Sequence, residues 1–110
     1  MRMGRQEAKE WISKTCGKGW LKLVDDVYDK LPEGVEIIQA YQKWAGLHFD
    51  TTEHDEQFEL YLLEIQRISR ETCEKCGIKG FHYVIENWEY TRCREHSENG
   101  INLNNLSKNT

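Results

Sequence analysis

Cys73-x-x-Cys76 and, sixteen residues later, Cys93-x-x-His96 place three thiols and an imidazole in two short pairs within the last third of the chain. Thiolate sulfur and imidazole nitrogen are the donors that hold a tetrahedral zinc ion. A two-residue gap lets one tight turn aim both side chains of a pair at the same centre. Gly77 follows the first pair, where a zinc knuckle needs a residue that tolerates positive φ. The spacing therefore predicts one structural Zn²⁺ on Cys73, Cys76, Cys93 and His96. Four protein ligands leave no open position for substrate, so the chemistry expected of this site is bracing rather than catalysis.

Two residues compete for places in that set. Cys16, in Cys16-Gly17-Lys18-Gly19-Trp20, is a thiol left over. It reads as a substitute for His96, as a small buried residue at a helix start, or as a reactive thiol whose pKa Lys18 and a helix N-terminus would lower. His82 is the alternative imidazole. His48 and His54, with Asp50, Glu53 and Asp55, could assemble a second metal or hydrolytic site. A solvated helix cap explains Glu53, His54 and Asp55 more simply, because adjacent helical residues project in different directions. Lys79, Arg92 and Arg94 interleave with Trp88, Tyr90 and other rings, a pattern suited to partner or nucleic-acid contacts. Glu74, Glu86, Glu89 and Glu95 nearly cancel that charge. His82 alone does not rebuild a His-metal nuclease, and the sixteen-residue interval is too short for one.

The elements that must position these residues are legible as periodicities. Arg5 to Lys14 can form a short helix. Trp20, Leu23, Val24, Val27, Tyr28 and Leu31 form the stripe of an amphipathic helix that Pro32-Glu33-Gly34 ends. Val35 to Trp44 reads as a strand covered in part on both faces, with Val35, Ile37 and Tyr41 on one side and Ile38, Ala40 and Trp44 on the other. A turn at Ala45-Gly46 leads to a second short strand at Leu47–Phe49. Asp50-Thr51-Thr52 supplies candidate caps for a long helix carrying Phe58, Tyr61, Leu62, Ile65 and Ile68, its stripe widened by Leu60 and Leu63. That helix delivers the chain into Cys73. Phe81–Ile85 and Trp88–Arg92 predict a hairpin that returns Cys93 to the first ligand pair. The expected class is α+β: an α-β-β-α core over residues 1–72, a treble-clef-like zinc module (zinc knuckle, hairpin, short helix) over 73–96, and an Asn-rich flexible tail over 97–110.

Composition bounds the function. A chain of 110 residues with 38% apolar and 31% charged residues supports one modest core, which zinc would supplement. Its formal charge of −4 becomes about −5 once three thiolates hold one Zn²⁺. A net acidic domain has no general attraction for phosphate backbones. No apolar run approaches the ~18 residues of a membrane span. The Cys/His spacing fits metal better than two disulfides, and no signal-peptide pattern is present, so a reducing compartment is expected.

Four motifs in order, Cys16-Gly-Lys-Gly-Trp20-Leu with Asp25 and Asp26, Lys43-Trp-Ala-Gly-Leu-His-Phe49, Ser69-x-x-x-Cys73-Glu-x-Cys76-Gly77, and Trp88-x-x-Thr91-x-Cys93-x-x-His96, run from Cys16 to His96. In this the chain resembles a group of small uncharacterised proteins encoded by bacteriophages and prophages. The resemblance implies a mobile-element origin, a bacterial cytoplasmic location and zinc on the same four residues; it carries no activity. That group has Phe where this chain has Trp44 and a basic residue where it has His48, so a shared partner is not carried over. Small acidic phage proteins without catalytic constellations commonly bind a host or viral protein, some to inhibit an antiviral defence. The expectation is a non-enzymatic protein of that kind, with a nucleic-acid-binding regulator as the alternative. Trp11 and Trp44 would equally suit a homodimer seam.

Overall fold

The computed structural model describes residues 2–97 and 101–102. Helices α1 (Arg5–Thr15) and α2 (Leu21–Asp29) come first, followed by strands β1 (Ile37–Lys43) and β2 (Gly46–Thr51), then helix α3 (Glu56–Ser69). Strands β3 (Phe81–Ile85) and β4 (Trp88–Arg92), a 3₁₀ turn (Arg94–His96) and the two-residue strand β5 (Ile101–Asn102) complete the order. The class is α+β. Two helices precede the first hairpin, not one, because Arg5 to Thr15 is a full helix that buries Ala8 and Ile12 one turn apart. Of the segment expected as a tail, Ile101 and Asn102 pair with Val84 and Tyr83 of β3, and the residues beyond Asn102 lie outside the described set.

One core serves the first five elements. Helix α1 contributes Ala8 and Ile12, α2 contributes Leu23, Val24 and Val27, β1 and β2 contribute Ile37, Ala40, Leu47 and Phe49, and α3 contributes Phe58, Leu62 and Ile65. Trp20, fully buried, belongs to the same core. Arg5 bonds Asp25 and Asp29 while Lys9 bonds Asp25, clamping α1 to α2 along their solvent edge.

Four local expectations are corrected by the structure. The faces of β1 do not alternate: a bulge between Ile37 and Gln39 shifts the register, so Ile37 and Ala40, three apart, both face the core while Ile38 is exposed. The tight turn is Trp44-Ala45, both residues at positive φ (51° and 64°), and Gly46 is already in β2 opposite Lys43. Such a turn ordinarily takes Asn-Gly. Here other elements hold it: Thr91 Oγ1 donates to the Ala45 carbonyl at 2.6 Å and Arg70 Nε to the Trp44 carbonyl at 3.3 Å. Helix α3 is capped by Asp55, whose carboxylate accepts the Phe58 amide at 2.9 Å, and not by Asp50-Thr51-Thr52. Leu60 and Leu63 do not widen its buried stripe; both are more than half exposed.

Candidate metal centre

Helix α3 ends at Ser69, and the chain turns sharply through Cys73 to Gly77. The Cys73 amide donates to the Ile78 carbonyl at 2.7 Å and the Gly77 amide to the Cys73 carbonyl at 2.8 Å, with Gly77 at φ 86°. This closed turn sets Cys73 and Cys76 on one side. Hairpin β3–β4, reversed at Glu86-Asn87 (φ 50° and 69°), brings Thr91 back so that the Glu74 amide donates to its carbonyl at 2.9 Å. Two residues later Cys93 enters the 3₁₀ turn that carries His96.

The four predicted donors converge. Cys73, Cys76, Cys93 and His96 offer ligand atoms within 4.8 Å of one another. The Cys76 and Cys93 sulfurs are 3.7 Å apart; His96 Nδ1 lies 3.7 Å from the Cys73 sulfur and 3.0 Å from that of Cys93. Ligands ~2.3 Å from a common tetrahedral centre stand about 3.8 Å from each other, so these separations suit one metal ion. All four cysteines are free thiols. Burial raises the Cys73 thiol, but backbone amides of Cys93, Cys76 and Lys75 directed at its sulfur outweigh that and bring its pKa down to about 7. A sulfur poised to ionise among backbone donors is a ready metal ligand.

The competing residues lie elsewhere. Cys16 is buried at the end of α1, not at a helix start, beside the Thr15 hydroxyl at 3.5 Å. Burial pushes its pKa up to about 11, opposite to the activation that Lys18 was expected to supply. His82 pairs with Glu89 at 2.7 Å, and His54 with Glu59 at 2.8 Å. His48 stacks on Tyr41 and approaches the Lys43 carbonyl at 3.0 Å; burial lowers its pKa. Among the described residues, the tetrad is the group of Cys, His and carboxylate side chains placed to share an ion.

What the sequence does not reveal is how the centre is seated. Cys16-Gly17-Lys18-Gly19-Trp20 is its socket. The Gly19 amide donates to the Glu74 carbonyl at 2.9 Å, and the Trp20 indole donates to the Thr72 carbonyl at 2.8 Å, across 52 residues of chain. A Cβ on Gly19 would overlap the Cys73 carbonyl oxygen and lie 2.6 Å from the Gly77 nitrogen. Gly17, at φ 133°, meets the Glu74 carbonyl oxygen at 2.8 Å in the same sense. The signal available was two glycines flanking one residue ahead of a large aromatic.

Glu74, inside the knuckle, is completely buried. Its Oε2 accepts the Thr91 amide at 3.2 Å, and Arg92 stands 3.7 Å from Oε1. Burial raises its pKa against those two partners. Arg92 is thereby turned inward: it also lies over the Tyr90 ring at 4.1 Å and donates to the His96 carbonyl at 3.3 Å. Lys79 and Arg94 are exposed, as is Trp88, whose indole donates to Gln42 Oε1 at 2.8 Å; Tyr90 is half-buried. No helix among the described residues is long and apolar enough to cross a membrane. Comparison with protein-family models, curated proteins and solved structures finds no match to this chain.

Proposed function

We propose that this chain is a zinc-stabilised, non-enzymatic accessory protein of phage or prophage origin that binds a host or viral protein in the bacterial cytoplasm, with inhibition of an antiviral defence as its role. The observation that carries the reading is the closed donor set. Three sulfurs and one nitrogen, all from the chain, favour zinc over harder cations, complete its coordination and leave it a brace. Zinc on Cys73, Cys76, Cys93 and His96 would lock knuckle, hairpin and 3₁₀ turn in a treble-clef-like arrangement. The chain's own residues do the rest: Gly17 and Gly19 admit the knuckle backbone, and Trp20 ties it to the core.

Surface chemistry supports binding to protein. Trp11, Trp44 and Trp88 are 41%, 60% and 51% exposed, on a domain of net charge −4. Large exposed rings on an acidic surface suit a basic protein partner. The reading is tested by affinity capture from infected and uninfected host lysate with the zinc-loaded protein, nuclease-treated in parallel, followed by titration against the purified partner. A stoichiometric complex that survives nuclease is expected. Recovery only through nucleic acid would replace this reading with the regulator that uses Lys79, Arg94 and the hairpin aromatics.

A further inference from the structure

The first hairpin, the second hairpin and α1 meet around a groove of about 220 Å³. Trp11 of α1, Tyr41 and Gln42 of β1, and Trp88 and Tyr90 of β4 contribute to its walls, and Glu74 belongs to its lining. Four aromatic rings from three elements thus line a space whose lining also includes the buried acid Glu74. Glu74 Oε1 is buried with no donor at full hydrogen-bond geometry among the described residues; the Arg92 guanidinium at 3.7 Å pairs with it electrostatically and the Gln42 side chain also bears on the carboxyl, which leaves this oxygen incompletely satisfied. A buried acceptor without a donor is costly, which makes it a place where a ligand's N–H is rewarded.

From this geometry we infer that the groove receives an arginine side chain presented by a basic segment of the protein partner. A guanidinium is attracted to ring faces and carries five N–H donors in a planar fork, so it can stack between rings and still reach an oxygen such as Glu74 Oε1. The rings are held ready for it. The Trp88 indole is fixed by Gln42 Oε1, whose amide nitrogen donates in turn to the Glu89 carbonyl at 2.6 Å; the Tyr41 hydroxyl is fixed on Asp50 at 2.9 Å. His48 stacks against Tyr41 and Arg92 lies over Tyr90, so the protein already stacks a guanidinium on one ring of this set. The volume is below the ~300 Å³ at which drug-sized ligand pockets begin, the scale of one side chain. The net charge of −4 favours a basic segment over an acidic or apolar one.

The inference rests on the protein-binding reading and is tested separately from it. The zinc-loaded full chain, labelled at the indole nitrogens, is titrated with the blocked peptide Gly-Gly-Arg-Gly-Gly and with its citrulline and lysine counterparts. The indole N–H resonances of Trp11 and Trp88 should shift saturably with the arginine peptide, while that of buried Trp20 stays in place. The citrulline and lysine peptides should bind at least about fivefold more weakly, and Trp11→Ala, a change at an exposed position, should weaken the arginine peptide about as much. No saturable shift, equal binding of the citrulline or lysine peptide, or unchanged affinity in Trp11→Ala would each overturn the assignment. A protein partner that binds Trp11→Ala as tightly as the parent would remove the groove and leave the protein-binding reading standing. Arginine-peptide binding in a chain that captures no protein would do the reverse.

Discussion

Gly19 lies directly beneath Cys73: a single methyl group on Gly19 would occupy the space of the Cys73 carbonyl oxygen. Fifty-four positions separate them, yet the fit between loop and knuckle is backbone against backbone, which no rotamer change can relieve. Gly19→Ala should therefore destabilise the protein by at least about 3 kcal/mol and weaken zinc affinity, although Gly19 holds no ligand atom. Gly4→Ala is the control: nothing lies within 4 Å of its Cβ, so it should cost only the loss of a glycine N-cap on α1, about 0.5–1 kcal/mol. Denaturant melts and chelator competition on both variants measure the contrast.

Metal exchange reads the ligand set directly. Cobalt substituted into the protein should give the absorption of a tetrahedral ion with thiolate charge-transfer bands, and zinc should displace it. Cys73→Ala should abolish that spectrum and unfold the C-terminal hairpin at lower denaturant than the parent. Cys16→Ala should leave the spectrum unchanged, because Cys16 is outside the tetrad. A spectrum lost in Cys16→Ala and kept in Cys73→Ala would reassign the centre.

Acid should weaken the clamp between α1 and α2. Lys9 and Arg5 hydrogen-bond Asp25 and hold its carboxyl below the ordinary aspartate range. A folded pKa below the unfolded one gives stabilisation that is complete above about pH 4 and lost as pH falls through the folded value. Asp25→Asn should therefore lower the melting temperature at pH 7, and the gap from the parent should close as both are taken to pH 2–3. A gap that is constant over that range would mean the carboxylate charge is not what joins the helices.

Thr91 couples the two hairpins. Its buried hydroxyl is bonded to the carbonyl of Ala45, inside the positive-φ turn. Thr91→Val keeps the shape but strands that carbonyl, at a cost of about 1–3 kcal/mol. Amide exchange should accelerate first at Ala45 and Gly46, ahead of the metal centre. Protection lost at the knuckle before the turn would show the coupling running the other way.

Local pattern carried the elements of this fold far. The stripes Trp20 to Leu31 and Phe58 to Ile68 marked α2 and α3, and the hairpin from Phe81 to Arg92 was readable from its strands. The pair spacing alone named the four residues that converge. These succeed because helix period, strand composition and a two-residue ligand gap are each properties of a few neighbouring residues. What failed did so where distant chain decides. Ala45-Gly46 looked like the better turn, but Thr91 and Arg70 hold the one at Trp44-Ala45. Leu60 and Leu63 share a helix with the core stripe and still stand more than half exposed, since among the described residues nothing covers them as the core covers Leu62 and Ile65.

The amino-acid sequence by itself determined the class, the four residues that converge and the places of α2, α3 and the second hairpin, through short-range geometry and hydrophobic period. Tertiary structure alone decided that Cys16-Gly17-Lys18-Gly19-Trp20 is a socket for the knuckle, that Cys16 ends α1 with burial pushing its pKa up to about 11, that Arg92 turns inward, and that Trp11, Tyr41, Trp88 and Tyr90 share one groove. Those outcomes depend on which surfaces meet between residues 18 to 79 positions apart in the chain. Such meetings are set by the packing of the whole core, which no local pattern encodes.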